Sequence, residues 1–377
     1  MAIGRRTRIV IVDDSAVMRS LLRSVVASDP SLEVAATAAD GVTALSTIEQ
    51  SRPDLVLLDI EMPVMDGLAT LRELRKRGHR MPVIMCSSLT QRGARVTIEA
   101  LASGASDYVA KPAGQSSREA AQRALSNDLL AKIRALTGLT ERESGAILVS
   151  QAARPLGMAA PLEAPAVLVI GVSTGGPAAL DQLLPALPES FPLPILIVQH
   201  MPEVFTGLFA SRLNERCRLR VCEAAEGQAV QTGTAYVARG NWHMEVHAAA
   251  LSRKPVTVHL TQGPPENHCR PAVDVLFRSA ARVYGGCVLA VVLTGMGSDG
   301  LAGCRIIRER GGSVLAQDQA TSTVWGMPGA VAQAGLAHKI LPLASIASEI
   351  VRMASRAKAF SSTTMTSGSH HPNRMVV

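Results

Sequence analysis

Short, unbroken apolar runs recur along this chain, each ending in a polar residue and each followed by a helical pattern. That alternation constrains the fold more than any other feature. Arg8-Ile9-Val10-Ile11-Val12 ends in Asp13-Asp14, and Leu55-Val56-Leu57-Leu58 ends in Asp59. Runs that are apolar at successive positions read as strands covered on both faces, the pattern of a parallel sheet between helix layers. Further strands are expected at Glu33 to Thr37, Pro82 to Cys86 and Asp107 to Ala110. Between them, Met18, Leu21, Leu22, Val25 and Val26 recur at helical spacing behind Ser15 as N-cap, and Leu68, Leu71 and Leu74 do the same. Residues 1–136 are therefore expected to form a doubly wound, five-stranded parallel α/β domain.

A second α/β region opens at Val167-Leu168-Val169-Ile170 and continues through Pro194 to Val198, Cys287 to Leu293 and Ser313 to Ala316. A mostly parallel sheet is expected over residues 165–356, with the more alternating stretch 230–260 antiparallel. Residues 137–164 lose periodicity and gather Gly, Pro, Ala and Ser, which reads as an interdomain linker. Residues 357–377, rich in Ser, Thr, Met and His, read as a disordered tail. Two domains suit a length of 377 residues.

Composition narrows the classes. Aromatics at 3% leave little for base-stacking platforms, while a net charge of +7 favours an acidic partner. The six cysteines form no Cys-x-x-Cys pair and no regular framework, which points to a reducing cytoplasm. No signal-peptide core and no apolar stretch of roughly 18 residues is evident, so a cytoplasmic chain without membrane insertion is expected.

Parallel α/β sheets gather ligand groups at the carboxyl ends of their strands. Asp13 and Asp14 follow the first strand, Asp59 the third, Ser87 the fourth and Lys111 the fifth. Clustered carboxylates raise one another's pKa unless a cation neutralises them, and oxygen-only ligands suit Mg²⁺. An aspartate can attack a phosphoryl group when Mg²⁺ screens the charge, while a lysine and a hydroxyl hold the transferred oxygens. The segments Val12-Asp13-Asp14-Ser15, Leu57 to Gly67, Cys86-Ser87-Ser88 and Tyr108-Val109-Ala110-Lys111-Pro112 resemble the motifs of a response-regulator receiver domain. The resemblance implies Asp59 as the acceptor of phosphate from a histidine kinase. It implies Asp14 and Asp59 as the main Mg²⁺ ligands with Asp13 in support, and Ser87, Tyr108 and Lys111 as the phosphate switch.

Gly171-Val172-Ser173-Thr174-Gly175 fits the GxSxG pattern between an apolar strand and a helical pattern, where small residues expose a hydroxyl and helix-start amides can stabilise an oxyanion. A serine needs a base. His200 follows a buried strand, and Asp299 lies in the glycine-rich turn after another. The order Ser, His, Asp differs from that of α/β-hydrolases, so that fold is not expected. His243 and His247, which flank Glu245, read as a solvated strand face rather than a zinc site.

Together Ser173 to Pro177, Gln199 to Pro202, Arg270 to Phe277 and Leu293 to Gly300 resemble the catalytic domain of the chemotaxis protein-glutamate methylesterase family. The resemblance implies Ser173 as nucleophile, His200 as base, Asp299 as its orienting acid and the Met296 amide as an oxyanion donor. Cys269 stands where some members carry a histidine; neither it nor His268 is assigned a role. The implied activity is hydrolysis of glutamate γ-methyl esters with release of methanol, together with glutamine deamidation. That activity would need no cofactor for ester hydrolysis and Mg²⁺ only for receiver phosphorylation. The implied partners are a chemotaxis histidine kinase as phosphodonor and the cytoplasmic domains of methylated chemoreceptors as substrate. Two other readings stand beside it: a DNA-binding response regulator, and an esterase or amidase of another substrate. The first lacks a clear helix-turn-helix or basic recognition helix, so no nucleic acid is expected, and it would have no use for Ser173, His200 and Asp299.

Overall fold

The computed structural model describes residues 5–112, 118–139, 164–248 and 255–363. Five strands, β1 (Thr7–Val12), β2 (Leu32–Ala38), β3 (Leu55–Asp59), β4 (Val83–Ser87) and β5 (Asp107–Ala110), form one parallel sheet in the order β2-β1-β3-β4-β5. β3 and β4 are buried at every position, as strands sandwiched between helix layers must be. The helices α1 (Ala16–Ala27), α2 (Gly41–Ser51), α3 (Gly67–Lys76), α4 (Gln91–Ala102) and α5 (Arg118–Leu136) connect or follow them. The first four start on side-chain caps: Ser15, Asp40, Asp66 and Thr90 each accept a backbone N–H from the first turn.

The second sheet has seven parallel strands. They are β6 (Val167–Val172), β7 (Ile195–Gln199), β8 (Arg220–Glu223), β9 (Thr234–Val237), β12 (Val288–Val292), β13 (Ser313–Gln317) and β14 (Lys339–Leu341). Their order is β14-β13-β12-β6-β7-β9-β8. Its helices are α6 (Gly176–Leu183), α7 (Glu203–Arg216), α8 (Val273–Tyr284), α9 (Leu301–Glu309), α10 (Met327–Gln333) and α11 (Leu343–Thr363). Only part of the stretch 230–260 is antiparallel. β10 (His243–His247) and β11 (Thr257–Thr261) make an antiparallel ribbon, whereas Thr234–Val237, buried throughout, joins the parallel sheet.

At the C-terminal end α11 runs past residue 356, where the tail was expected to begin. Ile346, Ile350, Met353 and Ala354 fall on one buried face, a helical repeat that the Ser- and Ala-rich composition concealed. Residues 140–163 and 364–377 lie outside the described residues, and with them most of the expected linker and tail.

The two α/β units share an apolar seam. α4 of the first packs against α6 and α7 of the second. One continuous buried cluster runs from Ala94, Ile98, Leu101 and Tyr108 to Ala179, Leu183, Phe205 and Phe209.

One close approach fixes the start of α3 to the end of β3. A Cβ built on Gly67 would lie 1.9 Å from the carbonyl oxygen of Asp59, while the Gly67 N–H donates to Ile60 O at 3.0 Å. Gly67→Ala should therefore push α3 off the strand that carries Asp59. Urea unfolding is expected to show a loss of about 1–3 kcal/mol, the cost of overpacking a tight contact; an unchanged midpoint would contradict the contact.

Candidate functional site

Where a parallel sheet reverses its order of connection, the two strands at the switch open a crevice at their carboxyl ends. In the first sheet the switch lies between β1 and β3, and it collects the acidic group. Ligand oxygens of Asp13, Asp14 and Asp59 all lie within 4.8 Å of one another, with Asp13 and Asp59 buried and Asp14 exposed. Lys111, at the end of β5, reaches Asp13 Oδ2 at 2.8 Å and Asp59 Oδ1 at 2.7 Å. Burial pushes the Asp59 carboxyl up, against the pull of the Lys111 ammonium. Asp13 Oδ2 has no hydrogen bond of good geometry and leans only on Lys111 by distance. A buried, under-satisfied carboxylate oxygen in an all-oxygen group fits a hard divalent cation.

The remaining expected residues of this region point elsewhere. Ser87 is buried at the end of β4, and its Oγ meets Thr97 Oγ1 of α4 at 2.7 Å. Tyr108 is buried too: its ring sits 4.7 Å from that of Phe205 on α7 and 5.1 Å from Lys132 Nζ on α5. A phosphoryl group on Asp59 would thus find Lys111 at hand, whereas Ser87 and Tyr108 tie the sheet edge to α4 and to the second unit.

In the second sheet the switch lies between β6 and β12, with β7 on the other side of β6. Three strand ends meet there. Ser173 follows β6, and its N–H donates to Thr294 O at 3.0 Å; His200 follows β7, and its N–H donates to Val172 O at 3.2 Å. Gln199 Nε2 spans both, donating to Ser173 O at 3.0 Å and His200 O at 3.2 Å. The turn into α6 needs the left-handed backbone of Gly175, φ 78°, where a Cβ would strike Thr323.

His200 Nε2 meets Asp299 Oδ2 at 2.8 Å, which leaves Nδ1 as the ring atom on the cavity side. Asp299 is held from several directions: by the N–H groups of Val273 (2.7 Å), Asp274 (3.0 Å) and Gly300 (2.9 Å), and by Asn267 Nδ2 at 2.9 Å. Burial would raise its pKa, but the His200 bond and these amides together hold it below the usual range. His200 moves the other way. Burial pulls its pKa down, yet the bonds to Asp299 and to Cys269 outweigh this and hold it at about 9.

Two groups at the site had no role assigned from the sequence. The first is the Glu266-Asn267-His268-Cys269 turn, with reciprocal backbone bonds between its ends and φ of 52° and 64° at its centre. These are the positive values of a type I′ turn, for which Asn is suited. Asn267 bridges Asp299 to the buried Asp274, and Cys269 Sγ lies 3.5 Å from His200 Nδ1. The second lies across the seam: Thr174 Oγ1 donates to Asp107 Oδ2 of β5 at 2.7 Å, and Lys132 approaches Asp107 Oδ1 at 3.7 Å. No local pattern signals a contact between residues 67 positions apart.

A cavity of about 530 Å³ results, lined on one side by Ser173, His200, Cys269 and Met296 and on the other by Asp107 and Lys132. His243, expected on a solvated face, is buried instead: its Nδ1 accepts from Ala272 N at 3.2 Å and its Nε2 meets Pro264 O at 3.0 Å. His247 and Glu245 remain on the outer side of the ribbon, and among the described residues only Asp13, Asp14 and Asp59 gather as metal ligands do.

The family described as CheB methylesterase matches residues 168–350, and that described as response regulator receiver domain matches residues 9–122. A protein-glutamate methylesterase/protein-glutamine glutaminase of a Nocardioides species is 49% identical over 93% of this chain and 96% of its own length. The chain belongs to the CheB methylesterase family, with a receiver domain ahead of the catalytic one. A Trichodesmium erythraeum relative of the same description is 48% identical over 92% of this chain and 98% of its own. The crystal structure of the Thermotoga maritima CheB methylesterase catalytic domain is 40% identical, covering 51% of this chain and 100% of that one at a TM-score of 0.49. No described helix is long and apolar enough to cross a membrane.

The raised His200 pKa makes a prediction about stability. A histidine whose folded value lies above its ordinary 6.5 adds stability that is fully present below 6.5 and is lost as pH rises through about 9. The unfolding free energy of the chain should fall across that window, and His200→Gln should flatten it. Urea titrations at the two ends of the window check this; equal slopes for chain and variant would contradict the pairing.

Proposed function

We propose that this CheB methylesterase is a phosphorylation-regulated serine hydrolase acting on glutamate γ-methyl esters of chemoreceptors, with deamidation of receptor glutamines as a second outcome of the same acyl chemistry. The observation that carries the reading is the His200–Asp299 pair at 2.8 Å beside Ser173 and Met296 in one cavity. Ser173 Oγ attacks the ester carbonyl while His200 Nδ1 takes its proton. Asp299, acting through Nε2, keeps the ring oriented and its charge compensated. The oxyanion meets the Met296 N–H, which no protein acceptor takes among the described residues. His200 returns its proton to the departing methoxide, then draws one from water to release the glutamate.

The net charge of +7 suits glutamate-rich receptor segments, which are acidic. Asp59 is the proposed phosphoacceptor, with Asp13, Asp14 and Asp59 holding the Mg²⁺ that screens the incoming phosphate. The phosphodonor would be a chemotaxis histidine kinase. Regulation would run through the seam, because Asp107, Tyr108 and Lys132 line the same cavity as Ser173 and His200. Phosphorylation that draws on Ser87 would move Thr97 and with it α4, whose other side packs on α6 and α7. The DNA-binding reading is not favoured, since a family whose second domain is a methylesterase has no use for it.

Methanol release from methylated receptors, with and without a small-molecule phosphodonor and Mg²⁺, tests the assignment. Wild type should be stimulated by the phosphodonor, Asp59→Asn should stay at the basal rate, and Ser173→Ala should fall by roughly a thousandfold or more while remaining folded. Near-normal turnover in folded Ser173→Ala would remove it as nucleophile.

A further inference from the structure

Cys269 shares the cavity with Ser173 and His200, and the mechanism gives its thiol nothing to do. The type I′ turn delivers its sulfur to 3.5 Å from His200 Nδ1, while Asp299 holds Nε2 of the same ring at 2.8 Å. Both nitrogens of the base are therefore engaged in the closed chain, and the one that must receive the serine proton is engaged by sulfur. Other cysteines contrast with it. Cys86 and Cys304 are buried, with desolvation pushing their thiols up, and burial likewise lifts Cys217 to about 11. None of these three lines the cavity.

We propose that Cys269 is a positioning residue for His200: its sulfur holds Nδ1 in the closed chain and gives it up to Ser173 when substrate binds. The inference rests on His200 being the base. A thiol is a weak donor as well as a weak acceptor: toward the neutral ring its S–H points at Nδ1, which fixes the plane of the ring against Asp299 and lets a stronger donor, the Ser173 hydroxyl, displace it. In the charged ring Nδ1–H points to Sγ, and the bond favours that form, which is one reason His200 is held at about 9. Asp299 holds the far nitrogen of the ring, and the other charged groups of the same cavity are Glu203 and Arg270 of the catalytic unit and Asp107, Asp128 and Lys132 of the receiver. All remain when the sulfur alone is removed, so a change on removal belongs to the sulfur.

The test is the pH dependence of kcat/KM for methanol release by the full chain under phosphodonor and Mg²⁺, whose acid limb reports the base of the free enzyme. In Cys269→Ala the limb should move to lower pH by about one unit, the scale on which neighbours shift ionisations in proteins. Cys269→Ser, whose hydroxyl can accept the same N–H, should stay near wild type. Iodoacetamide, which places a bulky group on Sγ, should silence the wild type and spare both variants. An unmoved limb in Cys269→Ala would overturn the proposal. So would full activity in wild-type chain shown by peptide mapping to be alkylated at Cys269, a measurement that does not depend on any variant folding. His200→Gln separates the two levels: if it is inactive while the Cys269→Ala limb is unmoved, only the present inference fails. If His200→Gln turns over normally, the base assignment falls as well.

Discussion

The hydrogen bond from Thr174 to Asp107 joins the two units beside the cavity that Ser173 and His200 line. Thr174 is the residue after Ser173, and Asp107 opens β5 at the end opposite Lys111. Both partners are buried, 5% and 7% exposed, so the bond works in a medium that gives it full weight. Breaking it without replacement would leave a carboxylate beside Lys132 and a hydroxyl with no acceptor, at a cost on the order of 1–3 kcal/mol or more. Around it lies the apolar seam of α4, Tyr108 and Phe205, so the contact that closes the cavity is not polar alone. Under the proposed regulation, opening it would call for a change that acts on α4 and on β5 together, through Ser87 with Thr97 and Tyr108 with Lys132.

The same connection rule builds both sites. A reversal of strand order leaves two neighbouring strand ends uncovered, and charged or nucleophilic residues there need no further fold to bring them together. In the receiver this yields a crowd of carboxylates that Lys111 compensates. In the catalytic unit it yields a serine, a histidine and a carboxylate from β6, β7 and the turn after β12. The second site then adds what strand ends cannot supply, a tight turn that brings Asn267 and Cys269 in from the side.

Much of this was legible in the sequence because the signals are local. Unbroken apolar runs announce buried parallel strands, and the residue at the end of each run lands at the sheet edge; Asp13, Asp59, Ser173 and His200 were found this way. Thr234–Val237 was misjudged because its polar flanks mimic an edge strand while its own side chains are buried. The helical face through Ile346, Ile350 and Ala354 was not read from the sequence, because composition overrode period there. Asn267 had a faint signal, an Asn-His pair at the centre of a turn, but its bonds to Asp274 and Asp299 depend on how α8 and the Asp299 turn are placed. Asp107 and Thr174 had none: each is ordinary in its own segment and acquires meaning only when the sheets are docked.

Accessibility of Ser173 is the most direct measure of whether the receiver guards the site. A fluorophosphonate, which phosphonylates active serines with loss of fluoride, followed by peptide mapping, reports it in the full chain. Labelling of Ser173 should be slow in the resting protein, rise with phosphodonor and Mg²⁺, and rise without them in Asp107→Ala. Equal labelling rates in all three would show that the contact between Thr174 and Asp107 does not control entry to the catalytic cavity.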